Sequence, residues 1–366
     1  MKITVITVCY NSEETIERTI RSVIAQDYRD LEYIIIDGAS TDNTLDIIGK
    51  YQNEVSLCIS EPDSGLYDAM NKGLEKSTGD VFAFLNSDDW YADNVLNRVN
   101  EYFEKSNADI VSGNMYLFSE GVSKKLDFDR SNREKMFFEV IYPHPALFAK
   151  RELYVKHGGF DTSYKLAADT DWVMKACING AKVFCADDYF TYFSDGGISF
   201  RKRYAGLKEQ YRIARKYVQE DEFVHLEKDL NEYYTWKLEE TRRWERLRNA
   251  FEKRAGDIKK LFDYNKTYYI WGAGARGMEC LRIFESLRLG VAGFIDSEGK
   301  KERINGYRVF LPNDVDIKTD KRICITPKGY EEGIISRLKN MGVGEEKYFL
   351  YTDMLDQIAS LGSPEE

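Results

Sequence analysis

The sequence predicts an α/β protein: a mostly parallel sheet with helices on both faces, then a helical linker, then a second and smaller α/β domain. Three observations carry this. The first 200 residues alternate short apolar, β-branched runs with helix-period patterns, which is the rhythm of a parallel sheet covered by crossover helices. Residues from about 201 to 262 show no strand pattern and are rich in Lys, Arg, Glu, Tyr and Trp. From about residue 266 the alternation resumes. A chain of 366 residues also suits two or three domains of roughly 150 residues each.

The elements follow in order. Residues 3–9 are almost continuously apolar or β-branched, as a strand buried on both faces should be. Ser12 is placed to cap a helix carrying Ile16, Ile20, Val23 and Ile24 on one face. Residues 31–36 read as a second strand, and Ala39-Ser40-Thr41-Asp42 leads into a second helix. Residues 55–59 read as a third strand. Residues 80–85 read as a fourth, running into Asn86-Ser87-Asp88-Asp89, and Ile110 and Val111 begin a fifth. In the middle region Tyr211, Ala214, Tyr217 and Val218 share one helical face, as do Trp244, Leu247 and Phe251, so long amphipathic helices are expected there. Residues 268–271, 291–295 and 322–326 are the strands expected in the last region, and the tail after Asp353 reads as frayed. The boundaries are therefore 1–204, a linker over 205–264, a second α/β domain over 265–352, and a tail over 353–366.

Composition narrows the function. Fifty-two basic against 62 acidic residues give a net charge of −10, which argues against a dedicated nucleic-acid binder. No apolar run approaches the roughly 20 residues that span a bilayer. The N-terminal run turns polar at Tyr10-Asn11-Ser12 with no small-residue cleavage site, so it reads as a strand and the expected location is the cytoplasm. Six scattered cysteines (Cys9, Cys58, Cys177, Cys185, Cys280, Cys324) without a CxxC pair read as reduced, buried thiols. Three histidines with no HxxxH spacing argue against a zinc centre, so any metal is a hard cation held by oxygen.

In an open parallel sheet, ligands sit beyond the carboxyl ends of the strands. Cys9-Tyr10-Asn11 follows the first strand. The second is followed by Asp37-Gly38-Ala39-Ser40-Thr41-Asp42, the third by Glu61-Pro62-Asp63-Ser64-Gly65, and the fourth by Ser87-Asp88-Asp89. One rim thus gathers five or more carboxylates, which repel unless a cation or hydrogen-bond donors offset them. Mg²⁺ or Mn²⁺ takes one or two carboxylates plus phosphate oxygens, and Asp88-Asp89 at a strand end suits that role. The remaining acids suit the hydroxyls of a ribose or sugar. Asp and Asn after strands are also ordinary turn and capping residues, Asp42 above all. Four such loops on one rim make the turn explanation insufficient.

At this point the motifs ITVITVCYN, EYIIIDGASTDNT, SEPDSGLYDAMNKGL and GDVFAFLNSDDW resemble the inverting family 2 glycosyltransferases of the GT-A fold, closest to polysaccharide-assembly members of the colanic-acid type. The resemblance covers about residues 1–200. It implies that Asp37 contacts the nucleotide, and that Glu61, Asp63, Tyr67, Asn71 and Lys72 line the donor pocket. In the LNSDD motif Asp88 would lie nearer the ribose and Asp89 would hold the metal. It further implies a general base in Leu166-Ala167-Ala168-Asp169-Thr170-Asp171-Trp172, placed at Asp169 with Asp171 as runner-up; Ala168 stands where the family commonly has Glu. Pro143-His144-Pro145-Ala146 and Gly158-Gly159-Phe160-Asp161 resemble acceptor-side segments, and Ser194-Asp195-Gly196-Gly197-Ile198-Ser199 the closing loop; His144 and Gly197 are thereby placed on the acceptor side. The chemistry agrees: charge develops on the leaving diphosphate and calls for a Lewis acid, while the acceptor hydroxyl needs a base.

Later in the chain Gly272-x-Gly274-x-x-Gly277 follows a strand and opens a helix, with Asp296 about 20 residues on, which is the dinucleotide fingerprint of a Rossmann-like domain. About 85 residues suit one mononucleotide half of such a fold. The segment also resembles the N-terminal nucleotide-sugar-binding region of bacterial sugar acyltransferases. A nucleotide site, a partner-docking module and an NAD site all remain open for it. In the linker, Arg201, Lys202, Arg203, Lys208, Arg212 and Arg215 among tyrosines leave open a peripheral contact with anionic lipid, a solvated face, or self-association.

The function expected is metal-dependent, inverting transfer of a sugar from a nucleotide sugar, a UDP-sugar, to a saccharide acceptor that is lipid-linked, in surface polysaccharide assembly. The alternative is a non-catalytic sugar-nucleotide sensor or scaffold. A nucleotidyltransferase would need a Gly-rich, basic loop after the first strand, where this chain has Tyr10-Asn11-Ser12-Glu13-Glu14.

Overall fold

The alternation of the first strand organises the first sheet. All seven residues of β1 (Ile3–Cys9) are buried. Ile6 and Val8 point to one face, packing with Ile34 and Ile36, while Ile3, Val5 and Cys9 point to the other, with Tyr33 and Ile35. A strand with a core on each face must sit inside a two-faced helical sandwich. The computed structural model describes residues 1–119, 121–297, 302–315 and 321–362. It divides into two units, Met1–Leu238 and Glu239–Glu366.

The first unit contains β1, β2 (Leu31–Asp37), β3 (Leu57–Ser60), β4 (Val81–Phe84), β5 (Trp90–Tyr91), β6 (Ile110–Ser119), β7 (Val122–Leu126), β8 (Leu147–Lys150) and β9 (Val183–Ser194). The sheet order is β3-β2-β1-β4-β8-β6-β9-β5, with β7 paired to β6. The first four sequence-predicted strands form the parallel half, each pairing within a residue or two of its expected bounds. Beyond β4 the directions mix: β8 is antiparallel to β4 and β6, and β9 is parallel to β6.

Helices cover both faces: α1 (Ile16–Ile24), α2 (Thr44–Gly49), α3 (Leu66–Lys76), α4 (Val95–Lys105), α5 (Arg151–His157), α6 (Ala168–Ile178), α7 (Ile198–Arg201) and α8 (Arg203–Tyr217). Ser12 does not cap α1 with its side chain. Its carbonyl accepts the Thr15 and Ile16 N–H groups, and its hydroxyl meets Ser87 Oγ at 2.8 Å, tying two loops of the rim together. The region read as a linker begins instead as core, because α8 buries Ile213, Ala214 and Tyr217 against the first sheet's helices. The division between units falls inside α9 (Glu227–Lys253). On that helix Leu247 is buried but Trp244 is 44% exposed, since Leu247 and Ala250 centre the buried face and Trp244 lies at its rim.

The second unit has α10 (Ala255–Lys260), β10 (Thr267–Trp271), α11 (Ala275–Ser286), β11 (Gly290–Ile295), β12 (Arg303–Ile304), β13 (Tyr307–Phe310), β14 (Lys321–Ile325), α12 (Glu331–Asn340), β15 (Tyr348–Leu350) and α13 (Tyr351–Leu361). Its sheet order is β12-β13-β11-β10-β14-β15, parallel throughout except for the β12–β13 pair. Five parallel strands thus stand where a three-stranded half was expected; β13, four residues including Arg308, and β15, three residues, are too short for the sequence to have announced them. The tail is a correction too. Residues 351–361 form α13, which buries Met354, Leu355, Ile358 and Ala359, and residues 363–366 lie outside the described residues. All six cysteines are free, and Cys58 and Cys185 are exposed rather than buried as expected. Among the described residues no helix is long and apolar enough to cross a membrane.

Candidate active site

The loop after β2 folds around Asp37. This residue is fully buried, and its carboxylate accepts from Ser40 N (2.9 Å), Ser40 Oγ (2.5 Å), Ser60 Oγ (2.7 Å) and Cys9 Sγ (3.5 Å). Four donors fill the four accepting positions of a carboxylate, so Asp37 shapes the loop from within. Burial, then the neighbouring Asp37, pushes the Cys9 thiol far above its ordinary range, so it stays protonated. Asn11, with φ 49°, receives the loop from the other side: its N–H donates to Ser40 Oγ and its Oδ1 accepts from Thr41 N, both at 2.8 Å. Asp42 accepts from Thr44 N and Glu13 N, capping α2 while standing on the rim. Asp63 accepts from Gly65 N and packs on Gly38, where a Cβ would lie 2.5 Å from Asp63 Oδ2.

These loops enclose a cavity of about 890 Å³ beyond the carboxyl ends of β1 and β4. Cys9, Tyr10, Asn11, Asp42, Asp63, Asp88 and Gly197 line it, together with Ser12, Glu13, Asn86, Ser87, Arg201 and Lys202. Tyr10 is 62% exposed at its edge. Gly197 belongs to the loop after β9 and leans on the acid pair: a Cβ there would lie 3.0 Å from Asp88 Oδ2. It therefore stands on the wall of this cavity, beside Asp88, whereas the sequence reading had it on the acceptor side.

Asp88 and Asp89 follow β4 and differ sharply. Asp88 reaches the cavity wall. Asp89 lies beneath it, fully buried, with Oδ1 accepting from Ser194 N at 2.9 Å. Its Oδ2 is also buried and accepts no hydrogen bond of normal geometry, although the Asn86 amide lies beside it. Burial raises both carboxyls, and the Asp88 charge pushes Asp89 up further. Arg18 counters them in part. Its Nη2 donates to Asp88 O at 3.0 Å and its guanidinium lies 3.6 Å over Trp90. Two adjacent acids, one on the cavity wall and one buried beneath it with an orphaned oxygen, form an oxygen donor set that fits a hard divalent cation completed by other ligands.

A second acidic site sits at the first turn of α6. Asp169 is half-buried, and its Oδ1 accepts from Tyr67 Oη at 2.7 Å. Tyr67 is therefore not on the wall of the cavity. On α3, Leu66 and Ala69 face the cavity while Tyr67 turns toward α6. Asn71 likewise braces Phe160, accepting from its N–H and donating to its carbonyl. Lys72 pairs with Glu61 at 2.9 Å and donates to Pro62 O, closing the loop outside the cavity. Asp171 is occupied by Lys216 Nζ (3.0 Å) and Tyr217 Oη (3.1 Å) from α8, which leaves Asp169 the freer carboxylate. His144 is buried against Phe84 with Nε2 unpartnered; burial lowers its basicity and the nearby Asp169 opposes that.

The sequence reading missed Arg18, Arg201, Lys202 and Glu209. Arg201 and Lys202, read as a solvated or membrane-facing stretch, stand on the cavity wall; their position directly after Gly196-Gly197 was the usable signal. Glu209 of α8 accepts the backbone N–H groups of Lys165, Leu166 and Ala167, fixing the turn that presents Asp169. In the second unit Gly277 lets α11 pass the preceding turn, since a Cβ there would lie 1.9 Å from Gly272 O. Gly272 has φ 108° against Thr326 and Pro327, Gly274 is the exposed residue before α11, and Asp296 follows β11, its N–H donating to Phe310 O.

Comparison with known proteins bears on the family and the fold. Residues 4–160 match the glycosyl transferase family 2 domain. An uncharacterised glycosyltransferase of Mycobacterium tuberculosis is 32% identical over 186 residues, 48% of this chain and 69% of that protein. A PGL/p-HBAD biosynthesis glycosyltransferase of Mycobacterium bovis is 32% identical over 167 residues, 44% of this chain and 64% of that protein. Among solved structures, S. aureus TarS 1–349 in complex with UDP-GlcNAc superposes with a TM-score of 0.53 at 22% identity, covering 64% of this chain and 71% of that one. A mannosyltransferase from Pyrobaculum calidifontis in complex with GDP-Man and Mn²⁺ gives 0.52 at 21% identity, covering 65% and 72%. These two likenesses bear on the fold, a GT-A arrangement. The α/β sheet, the rim of acids and the sequence relatives together place this chain in glycosyl transferase family 2, as a glycosyltransferase.

Proposed function

We propose that the first unit transfers a hexosyl group from a nucleotide sugar, a UDP-sugar, to a hydroxyl of a saccharide acceptor with inversion, assisted by Mn²⁺ or Mg²⁺. The observation that carries this reading is the separation of two acidic sites. Asp88, backed by Asp89, stands on the wall of a cavity large enough for a nucleotide, while Asp169 stands at the start of another helix. Tyr10 offers a ring to the base, Asp42 and Asp63 offer acceptors to hydroxyls, and Arg201 and Lys202 offer cations to the diphosphate. Asp88 and Asp89 would hold the metal, which when bound would supply Lewis-acid stabilisation of the leaving diphosphate. Asp169 takes the acceptor's proton as its oxygen bonds to the anomeric carbon, and the electrons of the breaking C–O bond leave with the diphosphate. The TarS and mannosyltransferase structures, bound to UDP-GlcNAc and to GDP-Man with Mn²⁺, support the donor class and the metal.

The relative named for PGL/p-HBAD biosynthesis supports a glycoconjugate pathway, and we assign the acceptor to a lipid-linked saccharide of surface polysaccharide assembly of the colanic-acid type. The strand order of the second unit supports a Rossmann-like module, with Gly272, Gly274, Gly277 and Asp296 at the carboxyl ends of β10 and β11. The test is a screen of nucleotide sugars for transfer and donor hydrolysis with Mn²⁺ and in excess chelator, on the native protein and on Asp88→Asn. We expect turnover of UDP-sugars that chelation abolishes and that Asp88→Asn lowers by about 100-fold or more. Full activity in chelator overturns the metal assignment. Donor binding without product over a broad acceptor panel favours a sensing or scaffold role.

A further inference from the structure

Tyr67 holds a position that donor binding does not explain. It lies on α3, 96% buried, with its ring 5.5 Å from Phe160. The hydroxyl donates to Asp169 Oδ1 at 2.7 Å across 102 residues of sequence. Among the described residues no hydrogen bond is made to the other carboxylate oxygen, and Asp169 itself is half-buried. On the reading that Asp169 is the general base, we propose that Tyr67 is its positioning residue: the hydroxyl pins Oδ1, fixes the carboxylate plane, and leaves Oδ2 to receive the acceptor's proton.

The surroundings bear this out group by group. From α3, Tyr67 is the donor. Its burial, reinforced by the Asp169 charge, holds the phenol well above its ordinary range, so it keeps its proton and donates throughout the working pH range. From the turn at residues 144–146, His144 faces Asp169 and is kept neutral-leaning by burial. From α8, Glu209 places its charge near Tyr67, but its carboxylate is taken up by the N–H groups of residues 165–167. On α6 itself Asp171 is held by Lys216 and Tyr217. Tyr67 is thus the one described side chain that hydrogen-bonds Asp169. A hydrogen bond to one carboxylate oxygen fixes how the group meets its substrate, so its removal must show in kcat and in the pH dependence of transfer, not in the donor KM.

The experiment is the pH dependence of kcat for metal-dependent transfer by the full chain, comparing the native protein with Tyr67→Phe, Asp169→Asn and a form carrying 3-fluorotyrosine at position 67. Phenylalanine fits the same aromatic contacts with Phe160. Tyr67→Phe should lower kcat about tenfold, move the acidic limb of the profile up by about one pH unit, and leave the donor KM within about twofold. The 3-fluorotyrosine form is a stronger donor of nearly the same shape and should move the limb down. Asp169→Asn should be inactive. An unmoved limb in Tyr67→Phe, with Asp169→Asn inactive, overturns the positioning role alone; a raised donor KM with an unmoved limb returns Tyr67 to the donor pocket. If Tyr67→Phe fails to fold, an unmoved limb in the fluorinated form overturns the proposal by itself. A fully active Asp169→Asn removes the base assignment and this proposal with it.

Discussion

Asp89 shows most directly how a single residue can be poor for the fold and good for the reaction. Its side chain is fully buried, Oδ2 lacks a hydrogen bond of normal geometry, and burial together with Asp88 holds its carboxyl well above the ordinary range. The sign follows from linkage. The folded chain binds this proton more tightly than the unfolded chain, whose Asp titrates near 3.9, so the burial penalty is full above the folded value and fades as pH falls toward 4. Asp89→Asn removes the charge but keeps the acceptor for Ser194 N. In chelator we expect Asp89→Asn to be more stable than the native protein by about 1–3 kcal/mol at pH 8 and by less at pH 4; with Mn²⁺ supplied it should be inactive in transfer. Urea unfolding at the two pH values measures it. A variant that is less stable at pH 8 shows that Arg18 already compensates the charge.

At the scale of elements, Glu32 does for the sheet what Asp37 does for the loop. It sits on β2 and accepts from Lys2 Nζ (2.7 Å), Thr4 Oγ1 (2.6 Å), Thr78 N (2.7 Å) and Thr78 Oγ1 (2.5 Å). It thereby joins β2 to β1 and to the turn between α3 and β4. Burial works to raise the carboxyl, yet these donors bring it down to about 2. A lowered carboxyl contributes stability that is present above its unfolded value, near 4.3, and is lost as pH falls through about 2. Glu32→Gln should cost about 2 kcal/mol at pH 7, and the difference from the native protein should shrink between pH 4 and pH 2, by denaturant unfolding. The parallel half of the sheet was legible in the sequence because strands buried on both faces are continuous apolar runs, as residues 3–9 and 31–36 are. The mixed half was not: β7 has four of five residues exposed, and β9 carries Asp187 and Asp188 within its run. Loops bearing Asp37, Asp63 and Asp88 were legible as a rim, but which acid faces inward was not. Asp37 turns from the cavity because Ser40, Ser60 and Cys9 surround it, and Glu209 meets its partners across more than 40 residues. Those choices are made by packing between distant segments, which no local pattern encodes.

At the scale of the molecule, two cores account for two units. The apolar clusters of the first unit draw only on residues up to Tyr234, and those of the second only on residues from Leu247 onward. Every residue assigned here to donor, metal and base lies in the first unit, which ends at Leu238. A break at residue 204, where the sequence alone placed it, would remove Ile213, Ala214 and Tyr217 from the first core. It would also remove Glu209 from the turn before Asp169, and Lys216 from Asp171. Burying each large apolar side chain contributes about 1.5–3 kcal/mol, and a domain's net stability is only about 5–15 kcal/mol, so losing α8 and the start of α9 should unfold the unit. A chain of residues 1–238 should therefore melt in one cooperative transition and keep metal-dependent donor hydrolysis within about threefold of the full chain, whereas residues 1–204 should show neither. Calorimetry and a hydrolysis assay on the two truncations check it. Residues 1–204 melting cooperatively with native activity would return α8 to the role of a spacer; residues 1–238 folding without activity would mean that the second unit takes part in the reaction.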